Sequence, residues 1–295
     1  METRDAILKQ VITFLVITSI ISASIYVWMF NGGGANMAAV SLMMWSPGIS
    51  AILTSLIYRD RIRNYGWRLG KARLLGYSYI LPILVAFIAY GLVWLSGIAD
   101  FSAEEFGYNR WARMLGLQEP VSFGVAWLLR MSIGMLFTSI FTLGEEIGWS
   151  GFLTPKLSRI ASVPVTSLIV GGYWAIWHYP AMVAGIYGTG APLWVALPGF
   201  TLVLIGASLV RTVLVSESKS LWTGVILHSS HNMFLMGAFW TLTVHEGYAN
   251  YLVSESGVFL GITYIIVAVV FWRTQKKQLI WNPQAVMQPG LNTKA

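Results

Sequence analysis

The chain has 295 residues, of which 56% are hydrophobic and only 11% charged, with a mean hydropathy of +0.65. That balance excludes an ordinary water-soluble domain and points to a polytopic membrane protein. The net charge of +7 sits between apolar stretches, so it speaks for anionic lipid headgroups and not for nucleic acid, and the absence of cysteine excludes disulfides, haem thioethers, cysteine nucleophiles and cysteine-ligated metals.

A helix that crosses hydrocarbon needs about 20 mostly apolar residues. Eight stretches supply them: 8–30, 36–58, 74–97, 122–145, 163–184, 191–214, 220–243 and 254–272. The first carries no small-residue cleavage site and reads as a retained span. The fourth meets no strong breaker before Pro155 and is expected to continue as helix to about Lys156. The fold class is therefore an all-α membrane bundle of about eight transmembrane helices in a single polytopic domain, 1–295, without repeats or low-complexity segments. Residues 102–117 have the pattern of a short interfacial helix, and the tail after Trp281, about 282–295, reads as loose and polar.

The links between spans alternate in charge. Arg59, Arg61, Arg63, Arg68, Lys71 and Arg73 face one acid, Asp60, in the second link. Arg4 and Lys9, Lys156 and Arg159, Arg211 and Lys219, and Arg273, Lys276 and Lys277 fall on the same side. The opposite links hold only Arg110 and Arg113 as fixed positive charges. By the positive-inside rule the basic side, with both termini, is cytoplasmic.

Span four ends in TLGEEIGWSGFL, with Glu145 and Glu146 side by side. An ionisable group at membrane depth costs several kcal/mol and normally faces a bundle interior or a wet cavity; a single acid near a helix end is also explained as an interfacial charge. Span five reads GGYWAIWHYPAM, with Trp174 one turn before His178 on the same face. Span seven reads GVILHSSHNMFLM, where His228 and Asn232 share a face and His231 joins that face or lies beside it. If these three helices pack together, the polar groups meet in one pocket. A carboxylate in a low-dielectric site with a neighbouring histidine suits activation of water, and a second histidine with an asparagine amide suits stabilisation of an oxyanion. No serine or threonine sits in a nucleophile motif. Gly144, Gly148, Gly151, Gly171 and Gly172 would let helices four and five approach closely or admit an extended substrate, or serve plain helix packing.

These three motifs, EEIGWSGFL, WAIWHYP and HSSHN in that order, resemble the CPBP family of intramembrane proteases, also called the Abi or CAAX-protease family, over about residues 120–245. The resemblance implies an intramembrane endopeptidase acting on a membrane-associated, possibly prenylated, peptide or protein, in a prokaryotic plasma membrane. By position it implies Glu145 as the catalytic carboxylate, His178 as its partner on the attacking water, and His228 with Asn232 as the oxyanion donors, supported by Glu146, Ser150, Trp174 and His231. No metal or other cofactor is favoured; were zinc bound, His178, His228 and Glu145 would be its ligands. The motifs set no oligomeric state.

One departure stands out. Where the family has arginine four residues after its second glutamate, this chain has Ser150. Glu146 is then either protonated or paired with a base from elsewhere, Arg130 and Arg211 being nearest the membrane. That departure keeps a non-catalytic peptide-binding scaffold or immunity protein open. A proton-coupled transporter is a further class, with helix breaks at Pro47, Pro82, Pro180 or Pro198. For the protease, substrate entry is expected laterally or from the cytoplasmic side.

Overall fold

A computed structural model describes residues 2–104, 106, 112–188 and 190–276. Among them the chain is all-α, with one isolated antiparallel bridge, Phe101 to Thr243, and no strand. α1 (Arg4–Trp28) starts at Thr3, whose Oγ1 accepts the Ala6 N–H at 3.2 Å. α2 (Met37–Tyr58) starts at Asn36 in the same way, its Oδ1 accepting from Ala39 at 3.0 Å. Each side chain satisfies an N–H that the first turn leaves unpaired. α3 (Ala72–Leu95) and α4 (Phe123–Leu157) follow, then α5 (Val163–Val183), α6 (Leu193–Ser218), α7 (Trp222–His231) and α8 (Val258–Lys276).

Six of these, α1, α2, α3, α4, α6 and α8, are long and apolar enough to cross a membrane. The two remaining expected spans, 163–184 and 220–243, are helical but fall outside that set. α5 and α7 are the segments that carry His178 and the HSSHN run, so the polar groups that make them interesting also weaken their apolar signal. α4 does continue past Glu146 to Leu157. Pro47, Pro82, Pro180 and Pro198 lie inside continuous helices, so the breaks expected there do not form; neighbouring helices absorb the lost backbone bond. Regular geometry yields elsewhere, in π-helical segments at Arg130–Gly134, Ile147–Leu153 and Asn232–Phe239. Of the expected interfacial helix at 102–117, residues 105 and 107–111 lie outside the described residues, and the rest shows one helical turn at 112–114. The tail 282–295 also lies outside them.

The links gather into two faces. On one, Lys156 Nζ reaches Asp60 at 2.7 Å and Glu2 at 3.4 Å, and Glu2 also meets Arg159. There the Leu221 N–H donates to Gly66 O at 2.9 Å and Trp222 Nε1 to Trp67 O at 2.8 Å. On the other face, the Ser102 N–H donates to Leu242 O at 3.0 Å and the Val244 N–H to Asp100 O at 2.9 Å. The basic links lie together on the first face, the poorly charged links on the second.

Between the faces α6 joins two apolar clusters. One groups α3, α7 and α8 around Tyr90, Phe234 and Tyr264; the other groups α1, α2, α5 and the end of α4 around Phe14, Trp149 and Phe152. Lipid offers no hydrophobic drive for helices to associate, so close packing has to hold them. Glycines permit it. A Cβ on Gly144 would lie 2.7 Å from the Trp45 side chain, and one on Gly148 2.7 Å from the Pro47 carbonyl carbon. These residues pack α4 on α2, and Gly171 packs α5 on the Leu204–Ile205 backbone of α6. Of the readings open for them, Gly144 and Gly148 serve plain helix packing, against α2 and not α5.

Candidate active site

Glu145 and Glu146 are the last residues of the regular α segment Met135–Glu146, and the π-helical Ile147–Leu153 begins immediately after them. A π segment inserts one residue into the turn and is common at functional sites. Here it follows two acids that leave in different directions. Glu145, 2% exposed, directs Oε2 to two indoles: Trp149 Nε1 donates at 3.1 Å and Trp174 Nε1 at 2.8 Å. Glu146, fully buried, turns toward α6 and α7.

The Glu146 side supplies what the sequence left open. Arg211 Nη1 donates to Glu146 Oε1 at 3.0 Å, and His228 Nδ1 donates to the same oxygen at 3.1 Å. Ser150 Oγ donates to Oε2. Of the two bases named from sequence, Arg211 is therefore the partner. Arg130 instead donates from Nη2 to Phe106 O at 3.1 Å and lies over the Phe106 ring. Arg211 is held twice more: Nη2 donates to Ser208 Oγ at 2.6 Å, and its Cζ lies 4.6 Å from the centre of the Trp174 ring. Trp174 thus has the Arg211 cation on its face and the Glu145 carboxylate at its N–H, linking the two acids through one ring. Space at position 150 is closed by α7, since a Cβ on Gly224 would lie 2.0 Å from Ser150 Oγ.

A cavity of about 290 Å3 lies against the Glu145 side. Glu145, Trp174, His178, His228, His231 and Asn232 all line it. His178 Nδ1 donates to Trp174 O at 2.9 Å, which leaves Nε2 as the ring's lone-pair nitrogen. The His228 ring meets Trp174 edge-on, 4.9 Å between centres. Two lining residues were not singled out from sequence. Glu255, 6% exposed, stands before α8 with Oε1 3.4 Å from His231 Nε2, an ion-pair distance too long for a well-formed hydrogen bond. Tyr187 donates its hydroxyl to Glu255 Oε2. No spacing ties Glu255 to His231, and a lone acid at a helix start reads as interfacial, so only packing could expose it.

Among the described residues no three of His, Asp and Glu converge closely enough to hold a metal ion. His178, His228 and Glu145 share the cavity wall, with one nitrogen or oxygen of each already engaged as above. Residues 122–234 match the family model of the Rce1-like type II CAAX prenyl endopeptidases. No curated protein matches the chain. The matched segment runs from the start of α4 to two residues past Asn232, and takes in Glu145, Glu146, Trp174, His178, His228 and Asn232. The chain is a multi-pass, all-α membrane protein whose residues 122–234 are similar to the Rce1-like CAAX prenyl endopeptidases.

Proposed function

We propose that this protein is an intramembrane endopeptidase that hydrolyses a peptide bond of a membrane-associated peptide or protein with a water activated by Glu145 and His178, in a prokaryotic plasma membrane. The observation that carries this reading is the convergence of Glu145, His178, His228 and Asn232 on one cavity. With Oε2 of Glu145 taken by both indoles, Oε1 is the oxygen left to a water. His178, its Nδ1 proton committed to Trp174 O, presents Nε2 as an acceptor for the second proton of that water. Attack on the peptide carbonyl places negative charge on its oxygen. Asn232 offers an amide donor there, and His228 offers Nε2–H when the ring carries both protons. Glu146, bonded to Nδ1, is the counter-ion for that doubly protonated ring and fixes its orientation. Arg211 in turn balances Glu146, so the serine at position 150 does not by itself argue against catalysis.

The test is cleavage of labelled membrane peptides, prenylated and not, by wild type and Glu145→Gln, each before and after exhaustive chelation. Cleavage by wild type alone that survives chelation is expected, with Glu145→Gln down by about 10²–10⁴. Cleavage that is lost on chelation and restored by zinc would replace the water-and-glutamate step by a metal-assisted one. Absence of cleavage by a folded wild type that still binds peptide would favour a peptide-binding scaffold.

A further inference from the structure

A second, smaller space lies behind the site. About 10 Å3 in volume, it is lined by Glu146, Arg211 and Tyr264 together with Trp174, His228 and His231, and these last three also line the large cavity and so stand between the two. Arg211 Nε, Tyr264 Oη and His231 Nδ1 are buried without a hydrogen-bond partner among the described residues. The three residues are 2%, 0% and 4% exposed.

Packing directs these atoms to one place. Arg211 uses Nη1 on Glu146 and Nη2 on Ser208, which leaves Nε. The Tyr264 ring lies 5.7 Å from the His231 ring, centre to centre, and α8 sits hard against α6 there, since a Cβ on Gly206 would lie 3.0 Å from Tyr264 Cβ. His231 aims Nε2 at Glu255 Oε1, 3.4 Å away on the wall of the large cavity. The two nitrogens of an imidazole point apart, so Nδ1 faces away from Glu255. A buried donor or acceptor left unpaired forfeits the hydrogen bond it had in water. The space has the size of one water, and its three polar atoms are the number of partners a buried water typically finds. Arg211 Nε can only donate, which does not suit a metal cation, and an anion would crowd the Glu146 carboxylate that already balances Arg211.

We propose that one buried water occupies this space, accepting from Arg211 Nε and Tyr264 Oη and donating to His231 Nδ1. His231 then carries its proton on Nε2, toward Glu255. One chain of polar contacts runs from Tyr187 through Glu255, His231, the water, Arg211 and Glu146 to His228. Tyr264 and His231 are thereby positioning residues for His228, the histidine assigned to the oxyanion. That role rests on the protease reading, whereas the water does not.

The water is tested by a density map of the full wild-type chain at a resolution where buried waters are seen. One peak within about 2.7–3.2 Å of Arg211 Nε, Tyr264 Oη and His231 Nδ1 is expected, and an empty space overturns the proposal. Tyr264→Phe removes one oxygen and keeps the ring. With the hydroxyl bonded to the water, its loss should raise the unfolding constant of the detergent-solubilised protein about two- to tenfold. An unchanged or lower constant shows a hydroxyl that had no partner and overturns the site. The positioning role is read with a peptide the protein cleaves. A misdirected oxyanion donor is missed only in the transition state and costs less than the about 100-fold loss of a whole donor, so kcat of Tyr264→Phe is expected to fall about three- to tenfold with KM unchanged. An unchanged kcat overturns the role and leaves the water to the map. If no peptide is cleaved, the protease reading fails on its own, and a map of Tyr264→Phe decides the positioning: a turned His228 ring supports it, and an unmoved one overturns it.

Discussion

Two groups of opposite charges stand on α4 ten residues apart. At Lys156 the partners are Glu2 and Asp60, with Arg159 on Glu2 beside them; at Glu146 they are Arg211, His228 and Ser150. The Glu2 and Asp60 side chains are 26% and 28% exposed, whereas those of Glu146 and Arg211 are 0% and 2% exposed. Similar chemistry therefore has opposite weight in the two places. At the rim, water replaces a lost partner, and such pairs contribute about 0–1 kcal/mol. In the bundle nothing replaces it, and stranding one buried charge costs about 3–5 kcal/mol. The rim network joins links; the inner one positions the site.

The comparison is tested most severely at Arg211. Arg211→Met strands the Glu146 carboxylate and is expected to destabilise the detergent-solubilised protein by about 3–5 kcal/mol, read from tryptophan fluorescence on unfolding. Adding Glu146→Gln removes the stranded charge and should recover a large part of that loss; a double variant whose loss equals the sum of the two single losses would show that the pair does not interact. Restoring the family's arginine through Ser150→Arg in an Arg211→Ser background is not expected to rescue. A Cβ on Gly224 would lie only 2.0 Å from Ser150 Oγ, so α7 leaves no room for the longer side chain without moving.

A smaller effect is expected where α4 meets α2. Gly148→Ala sets a methyl 2.7 Å from the Pro47 carbonyl carbon, backbone that cannot turn aside, and overpacking of this kind costs about 1–3 kcal/mol. Gly172→Ala, with nothing within 4 Å of its Cβ position, is the matched control and should leave stability nearly unchanged. Equal losses at the two positions would remove close helix approach as the cause.

The rim should respond least, and through pH. Burial raises the Asp60 carboxyl, but the hydrogen bonds from Lys156 and the Arg61 N–H, with the Lys156 charge, outweigh it and hold its pKa below the ordinary 3.8. Burial acts on Glu2 in the same sense and is outweighed by Arg159 and Lys156, leaving its pKa below 4.5. Lowered folded values mean that the stability these groups add is complete above 3.8 and 4.5 and is lost as pH falls through the lowered values. Asp60→Asn should cost at most about 1 kcal/mol near neutral pH and flatten the acid side of the stability profile. A larger loss at pH 7 than Arg211→Met gives would reverse the ranking.

Much of the architecture was legible along the chain. Every helix from α1 to α8 overlaps its apolar stretch, because span length and hydropathy are local properties that bilayer thickness selects. The continuation of α4 to Leu157 was legible for the same reason. What single residues left open was the geometry. Prolines at 47, 82, 180 and 198 did not break their helices, and glycines 144 and 148 contact α2 and not α5, since a residue's type says how close a neighbour can come and not which neighbour arrives.

The residues of the site divide in the same way. Glu145, Glu146, His178, His228, His231 and Asn232 announce themselves by polarity at membrane depth, and the resemblance of their three motifs to one protease family connects them before any packing is known. That an arginine must answer Glu146 also followed from composition, because a charge in hydrocarbon requires a partner; that it is Arg211, 65 positions away, required α6 to lie against α4 and α7. The same holds for Glu255 and Tyr187, which meet only when the links after α5 and before α8 converge. The amino-acid sequence by itself determined which segments enter the membrane and which side chains cannot rest there unpaired, both consequences of local solvation. Only the tertiary structure decided which partner each charge found and which side chains line one cavity, because those depend on helix neighbours that no local interaction energy selects.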